Sequence, residues 1–425
     1  MIPAIPALLG VPLRGGRRLV SGPALPAFVA LTRAQASARA TALGADGTTW
    51  AEFAADSARL HGAARQLLIE GARTNRMRNP RAEGAAAGTP GTLPTNWALS
   101  GLPAGIASTV VGTVTVDGVQ CLRLRVAGTP GSTTQARLEA EGVSTTPGAN
   151  GQAWTVSKFL RIAAGTQAGL GLNLRMMGRD SGFSAYNTAS VPLTPGTVLA
   201  RYAAVSPFSN AAIVFATADM QLVFTAGQAV DCTLDIGWPQ LEQGGFASTP
   251  VLPLAGAPAV STRGTDLASA SLAALGIGAG GACTILVWAV VPQPAPAGVE
   301  QTLVTLDNGT PDNRYRLFNA AGGSSVQVGR STGGTSLNVA AGTMTAGTAF
   351  KAGIAINGAG RIAGSLNGGA VVAQAGGPTA GLTTLRLGDN AAGTASLFGL
   401  VRECHVLPYA VSDTALPGLV AALPG

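Results

Sequence analysis

From residue 97 onward the chain alternates short apolar, β-branched runs with glycine, proline, asparagine and aspartate. The runs STVVGTVTV (108–116) and VQCLRLRV (119–126) flank Asp117-Gly118. Two β-rich runs around Asp-Gly predict a hairpin, because its turn needs φ above zero at both central residues. Further strands are predicted over 154–162, 170–177, 198–205, 211–217, 220–224 and 232–238. Many short strands at this spacing indicate a jelly roll or sandwich. A second series follows over 283–291, 301–306, 314–318, 325–329, 350–356, 361–368, 384–388 and 397–407. Residues 412–423 read as a short terminal helix with Ser412 as N-cap. The expected fold class is all-β, with two tandem β-sandwiches that are not sequence repeats.

The first fifth breaks this pattern. Residues 1–30 are apolar and proline-rich without a helical period, which predicts an extended arm whose Ile2, Ile5, Leu8 and Leu9 need a partner surface. Residues 50–68 have a helix-forming composition, and 79–96 (NPRAEGAAAGTPGTLPTN) read as a linker. The run QLLIEGARTN (66–75) reads as a buried strand ending at a Gly71 turn, with Glu70 and Arg73 near enough to pair or to fix the turn. The boundaries that follow are 1–80 for the arm, 81–255 for the first sandwich and 256–425 for the second.

Composition supports a folded chain. Hydrophobic residues make 47% and charged residues 11% of the 425, the reverse of a disordered balance. The net charge of +7 is uneven, since residues 1–80 carry ten Arg against four Asp/Glu. A basic segment on a nearly neutral body suggests docking to other proteins. Nucleic acid is the other common partner, but these arginines are dispersed among Pro, Gly and Ala, so none is expected. Cys121, Cys232, Cys283 and Cys404 are far apart in apolar runs and read as buried free thiols. No stretch reaches about 18 uninterrupted apolar residues, so no membrane insertion is expected. The start places its charges after its apolar part, the wrong order for a secretion signal.

The chemistry-bearing residues are sparse. His61 and His405 are the only histidines, and the adjacent Cys404 and His405 would point to opposite faces of a strand. Glycoside hydrolysis needs two carboxylates flanking the bond. The pairs Glu139/Glu141 and Asp231/Asp235 have even spacing, but neither completes a three-acid strand pattern, so no enzyme is expected. Calcium is the one cofactor the pattern suggests, through the hard oxygen donors of Asp307, Asn308, Asp312 and Asn313, which are equally good turn formers. For sugar contact, residues 178–187 (GRDSGFSAYN) place Arg179, Asp180, Phe183, Tyr186 and Asn187 in a loop-like segment. Trp97, Trp154, Trp238 and Trp288 flank or lie in strands and read as core.

Four segments in order carry a family likeness. LLIEGARTN (67–75) resembles a motif of bacteriophage tail-fibre and related virion proteins, which precedes a jelly roll similar to carbohydrate-binding domains. LTRAQASARATALGADG (31–47) is similar to the segment those proteins place before it. GWPQLEQGGFAST (237–249) resembles their closing strand, and AVSTRGTD (259–266) the stretch that follows. Where such proteins often carry an aromatic after Gln-Leu-Glu, this chain has Pro250. In relatives residues 50–68 often form a loose hairpin, so helix and hairpin both stay open. LNGG (366–369), TTLRLG (383–388) and SDTAL (412–416) resemble a concanavalin A-like or laminin-G-like sandwich, a fold that often holds calcium at a loop rim. The resemblance implies a virion protein at a tail or head surface, a homotrimer that docks to other virion proteins through residues 1–80 and displays modules that bind host-surface polysaccharide. The alternatives are a polysaccharide-degrading tailspike enzyme and a spacer without ligand.

Overall fold

A computed structural model describes residues 15–20, 24–35, 37–278 and 280–424. Their secondary structure is almost wholly β, with one short helix. The smaller sandwich packs two five-stranded antiparallel sheets. One contains Ala153–Gly165, Val230–Gln243, Val119–Gly128 and Ile106–Val116, with Ala200–Pro207 at its edge. The other contains Leu170–Arg179, Phe215–Phe224, Thr134–Glu139 and Ala98–Ser100, with Ala185–Pro192 at its edge. Alternation explains the layering. Leu122, Leu124 and Val126 point inward onto Leu172, Leu174, Met220 and Leu222 of the facing sheet. The intervening Arg123 and Arg125 point out. The predicted hairpin turns at Asp117-Gly118 with φ of 49° and 78°. A side chain at Gly118 would stand 2.2 Å from the Trp50 carbonyl oxygen.

The larger sandwich packs an eight-stranded sheet against a seven-stranded one. The first contains Cys283–Val290, Ala349–Ile356, Ile362–Leu366 and Gly399–Leu407, and the second Gln301–Asp307, Arg314–Asn319, Ser325–Thr332, Thr335–Thr343 and Thr384–Leu387. Between them lie Ile285, Val287, Ile354 and Val406 on one side and Leu306, Leu317, Val328 and Leu385 on the other. The outer face of the first sheet is covered by the helix Leu416–Ala421, whose Leu416, Leu419 and Val420 pack on Leu286, Trp288 and Leu407.

The arm expectation is corrected from Arg17 onward, while Ile2, Ile5, Leu8 and Leu9 lie outside the described residues. Arg17–Val20 pairs with Gly399–Leu407, Ala30–Thr32 pairs with Leu267–Ser271, and Gln66–Ile69 pairs with Gly399–Leu407. The larger sandwich is therefore assembled from two separated stretches, and the smaller one is inserted between them. The chain crosses the junction twice through small sheets: Ala38–Leu43 with Val251–Pro253 and Trp50–Phe53, and Arg73–Asn75 with Ser261–Arg263. The physical reason is the strand edge. Leu67 and Ile69 have apolar side chains and unpaired backbone groups, and the exposed edge of a sandwich satisfies both.

Other departures follow the same logic. Residues 50–68 hold Trp50–Phe53 and the paired strands Leu60–His61 and Gln66–Ile69, so the hairpin alternative applies. The 79–96 stretch is packed rather than a free linker, with Asn79, Arg81 and Ala82 buried and Arg81 gripping Glu52. The strands predicted over 211–217 and 220–224 are one strand, Phe215–Phe224. The terminal helix spans only Leu416–Ala421 without a side-chain cap; Ser412 instead closes the preceding turn by accepting from the backbone of Ala415.

Candidate functional site

Two constellations hold the residues singled out from sequence. The first is the turn after Leu170–Arg179. Asp180 organises it: its Oδ1 accepts the backbone N–H of Gly182 and of Ser184, each at 2.9 Å, and its Oδ2 accepts the Tyr186 hydroxyl at 3.2 Å. That bond raises the Tyr186 pKa above its ordinary value. Arg179 is buried, with its guanidinium donating to the Phe183 carbonyl at 2.6 Å and to Thr217 at 3.1 Å. Desolvation, followed by Arg137, lowers the Arg179 pKa. These bonds hold Phe183 at φ 67°, a region that non-glycine residues rarely adopt. The residue is 46% exposed, and its ring stacks on Phe215 with centroids 6.0 Å apart.

Tyr186 and Asn187 lie in the edge strand Ala185–Pro192, not in the loop. Asn187 is bonded to Ser209 through both ends of its amide. Of the five residues read as sugar contacts, four are therefore committed to intramolecular bonds, and Phe183 alone is presented as an aromatic face. The missed partner is Phe215, brought alongside by a cross-strand pair with Arg179.

The second constellation is the junction. Glu70 does not pair with Arg73. Its carboxylate meets Arg59 at 2.7 Å and Arg263 at 2.8 Å, and Thr249 donates to it through its backbone N–H and hydroxyl. Asp266 takes Arg33 at 2.7 Å and also binds Arg59. Burial would raise the Glu70 pKa, but Arg263 and Arg59 outweigh it and hold that carboxyl well below the ordinary range. Burial lowers the Arg263 pKa to about 10 despite Glu70. Arg73 instead pairs with Glu242 at 3.3 Å and lies 4.4 Å from the Phe398 ring centroid and 5.0 Å from that of Phe246. Gly71 is required because a side chain there would come within 2.5 Å of Phe398. All four segments that carry the family likeness thus meet here. Arg59 escaped the sequence reading; its one signal is a cation beside the apolar Leu60 and near Leu67-Leu68-Ile69.

The remaining candidates have other partners. Asp307 is buried against Arg386 at 2.8 Å, Asn308 accepts from Thr310, and Asn313 accepts from Gly333. Asp312 contributes its backbone carbonyl to Gly334. Among the described residues no group of three or more His, Cys, Asp or Glu is arranged to hold a metal ion. Asp235 sits between Arg123 and Arg161 on the flanking strands, Asp231 pairs with Arg125, and Glu141 pairs with Arg78. Glu139 is half-buried, and desolvation and Asp219 raise its pKa. Cys404 points into the core while His405, on the opposite face, bonds Glu403 at 2.6 Å. Trp97, Trp154, Trp238 and Trp288 are buried, and so are the four cysteines.

No family model matches the chain, and no curated protein matches it. Solved structures similar to it include β-sandwich carbohydrate-binding modules, glycoside hydrolase domains and one phage tailspike. Domain 4 of AbnA, a GH43 extracellular arabinanase from Geobacillus stearothermophilus solved with arabinotriose, is similar over 37% of this chain and 73% of its own, at 13% identity and TM-score 0.28. The CBM22-1 xylan-binding domain of Xyn10C from Paenibacillus barcinonensis is similar over 39% and 99%, at 12% identity and TM-score 0.26. The enzymatically active domain of tailspike protein 4 of bacteriophage CBA120 is similar over 35% and 20%, at 14% identity and TM-score 0.27.

Proposed function

We propose that this chain is a non-catalytic, glycan-binding structural protein of a virion or phage-like particle, attaching it to host-surface polysaccharide. One observation carries the reading: Phe183 is exposed, backbone-strained and supported by buried Arg179 and by Asp180. An exposed aromatic held in a costly conformation is explained by a ligand that stacks on it. Pyranose rings present apolar faces suited to such a platform. The two sandwiches, joined by a buried ionic network, suit display at a fixed orientation. The likeness of residues 31–266 to tail-fibre proteins supports the virion setting, with a homotrimer as the assembly and the N-terminal region as the docking element.

Sugars exchange water contacts for protein contacts at little net gain, so a single site should bind with a Kd on the order of 0.1–1 mM, and three copies on one particle would gain by multivalency. The test is binding of full-length protein to host envelope polysaccharide, alongside its Phe183→Ala variant. Loss of binding with an unchanged Tm supports the reading. Release of reducing ends from the polysaccharide would replace it with the enzyme alternative.

A further inference from the structure

The junction between the sandwiches encloses a groove of about 750 Å³. Its lining includes Arg73 and Arg76 of the connecting segment, Gln152, Gln243 and Phe246 of the smaller sandwich, and Gln293 of the larger one. The volume lies in the range of ligand sites, which favour such domain junctions. Arg73 is already paired with Glu242. The Arg76 guanidinium is different: it is half-buried and has no hydrogen-bond or ion-pair partner among the described residues. Among the described residues the side-chain amides of exposed Gln243 and half-buried Gln293 have no partner, and Gln152 uses only its carbonyl oxygen, toward Ala149 and Trp154. Among the described residues no carboxylate side chain lines the groove.

A half-buried arginine without a counter-charge, in a groove also lined by glutamine amides, is complementary to a carboxylate carried on a polyhydroxylated frame. Guanidinium takes a carboxylate through two parallel hydrogen bonds, and primary amides donate to and accept from hydroxyls. We infer that this groove binds an acidic saccharide, with Arg76 receiving the carboxylate of a uronic acid and Gln152, Gln243 and Gln293 reading its hydroxyls. The site is distinct from the Phe183 platform and stands without it.

The test is calorimetric titration of full-length protein with oligogalacturonate and oligoglucuronate, and with the same oligosaccharides after carboxyl reduction. A charge-assisted bond predicts that reduction weakens binding about tenfold or more, and that Arg76→Gln removes this preference while leaving Tm unchanged. Phe183→Ala should leave acid binding intact. The inference is overturned if neither acidic oligosaccharide binds at about 10 mM, a level above any useful Kd, or if Arg76→Gln binds them as the parent does. It is also overturned if Phe183→Ala abolishes acid binding while Arg76→Gln does not. That last result would leave the Phe183 platform standing, whereas acid binding lost only in Arg76→Gln, without any Phe183 effect on neutral glycan, would leave only the groove.

Discussion

Glu70 and Asp266 are bonded to each other twice: the Glu70 N–H donates to the Asp266 carboxylate Oδ2 at 3.0 Å, and the Asp266 N–H donates to the Glu70 main-chain carbonyl at 3.0 Å. One residue closes the chain's exit from the larger sandwich and the other its return. The side chains of Arg33, Arg59 and Arg263 then neutralise both carboxylates. Taking such charges out of water is costly, so every member depends on the others.

Glu70→Gln should therefore destabilise the protein strongly. Removing one partner of a buried ionic group leaves uncompensated charge and costs about 3–5 kcal/mol. Denaturant unfolding at neutral pH measures this. Because the folded-state pKa of Glu70 is lowered from 4.5, its contribution is present above that value and is lost as pH falls through the folded pKa. The parent should lose stability on acidification in a way the variant does not.

Lys158→Met should stabilise the protein. Lys158 is buried, faces the smaller sandwich's core from the strand Ala153–Gly165, and burial lowers its pKa from 10.5 to about 8 against the opposing pull of Asp219. A shift of that size corresponds to about 3 kcal/mol. Below pH 8 both states are protonated and the penalty is constant; between about 8 and 10.5 only the unfolded chain holds the proton, so parent stability rises with pH. The advantage of the variant should shrink over that window, as seen in Tm measured against pH.

Residues 76–253 should fold alone, whereas a chain beginning at Asn79 should leave the larger sandwich unfolded. It would lack Arg17–Val20, Ala30–Thr32, Leu60–His61 and Gln66–Ile69, which complete both of its sheets. Native-state proteolysis and circular dichroism separate the outcomes. A chain from Asn79 with both sandwiches protected would show that these strands are dispensable.

The four cysteines should resist thiol reagents until unfolding. Burial pushes the Cys121 thiol up to about 12, with Asp235 adding, and raises those of Cys283 and Cys404 further. The thiolate is the reactive form. Labelling that completes in the native state at neutral pH would contradict the packing described.

A sedimentation measurement on full-length protein tests the expected homotrimer; a monomer at all concentrations would refute it.

The sequence alone determined the elements whose cause is local. Alternating apolar positions and the Asp117-Gly118 turn specify the hairpin whatever surrounds it, and the interior strands 154–162, 283–291 and 397–407 were legible from β-branched runs. Two edge strands were not: Ala185–Pro192 and Thr335–Thr343 are polar and exposed, so nothing in their composition marks them, and pairing with a neighbour decides them. Tertiary structure also decided the domain plan. Residues 17–75 carry the composition of an arm, yet their apolar strands complete a sandwich whose remaining strands begin nearly two hundred residues later. The same holds for the charges. Glu70 next to Gly71 and Arg73 suggested a local pair, but burial makes a carboxylate take the guanidinium groups that share its dry site, and only the folded chain brings Arg59 and Arg263 there.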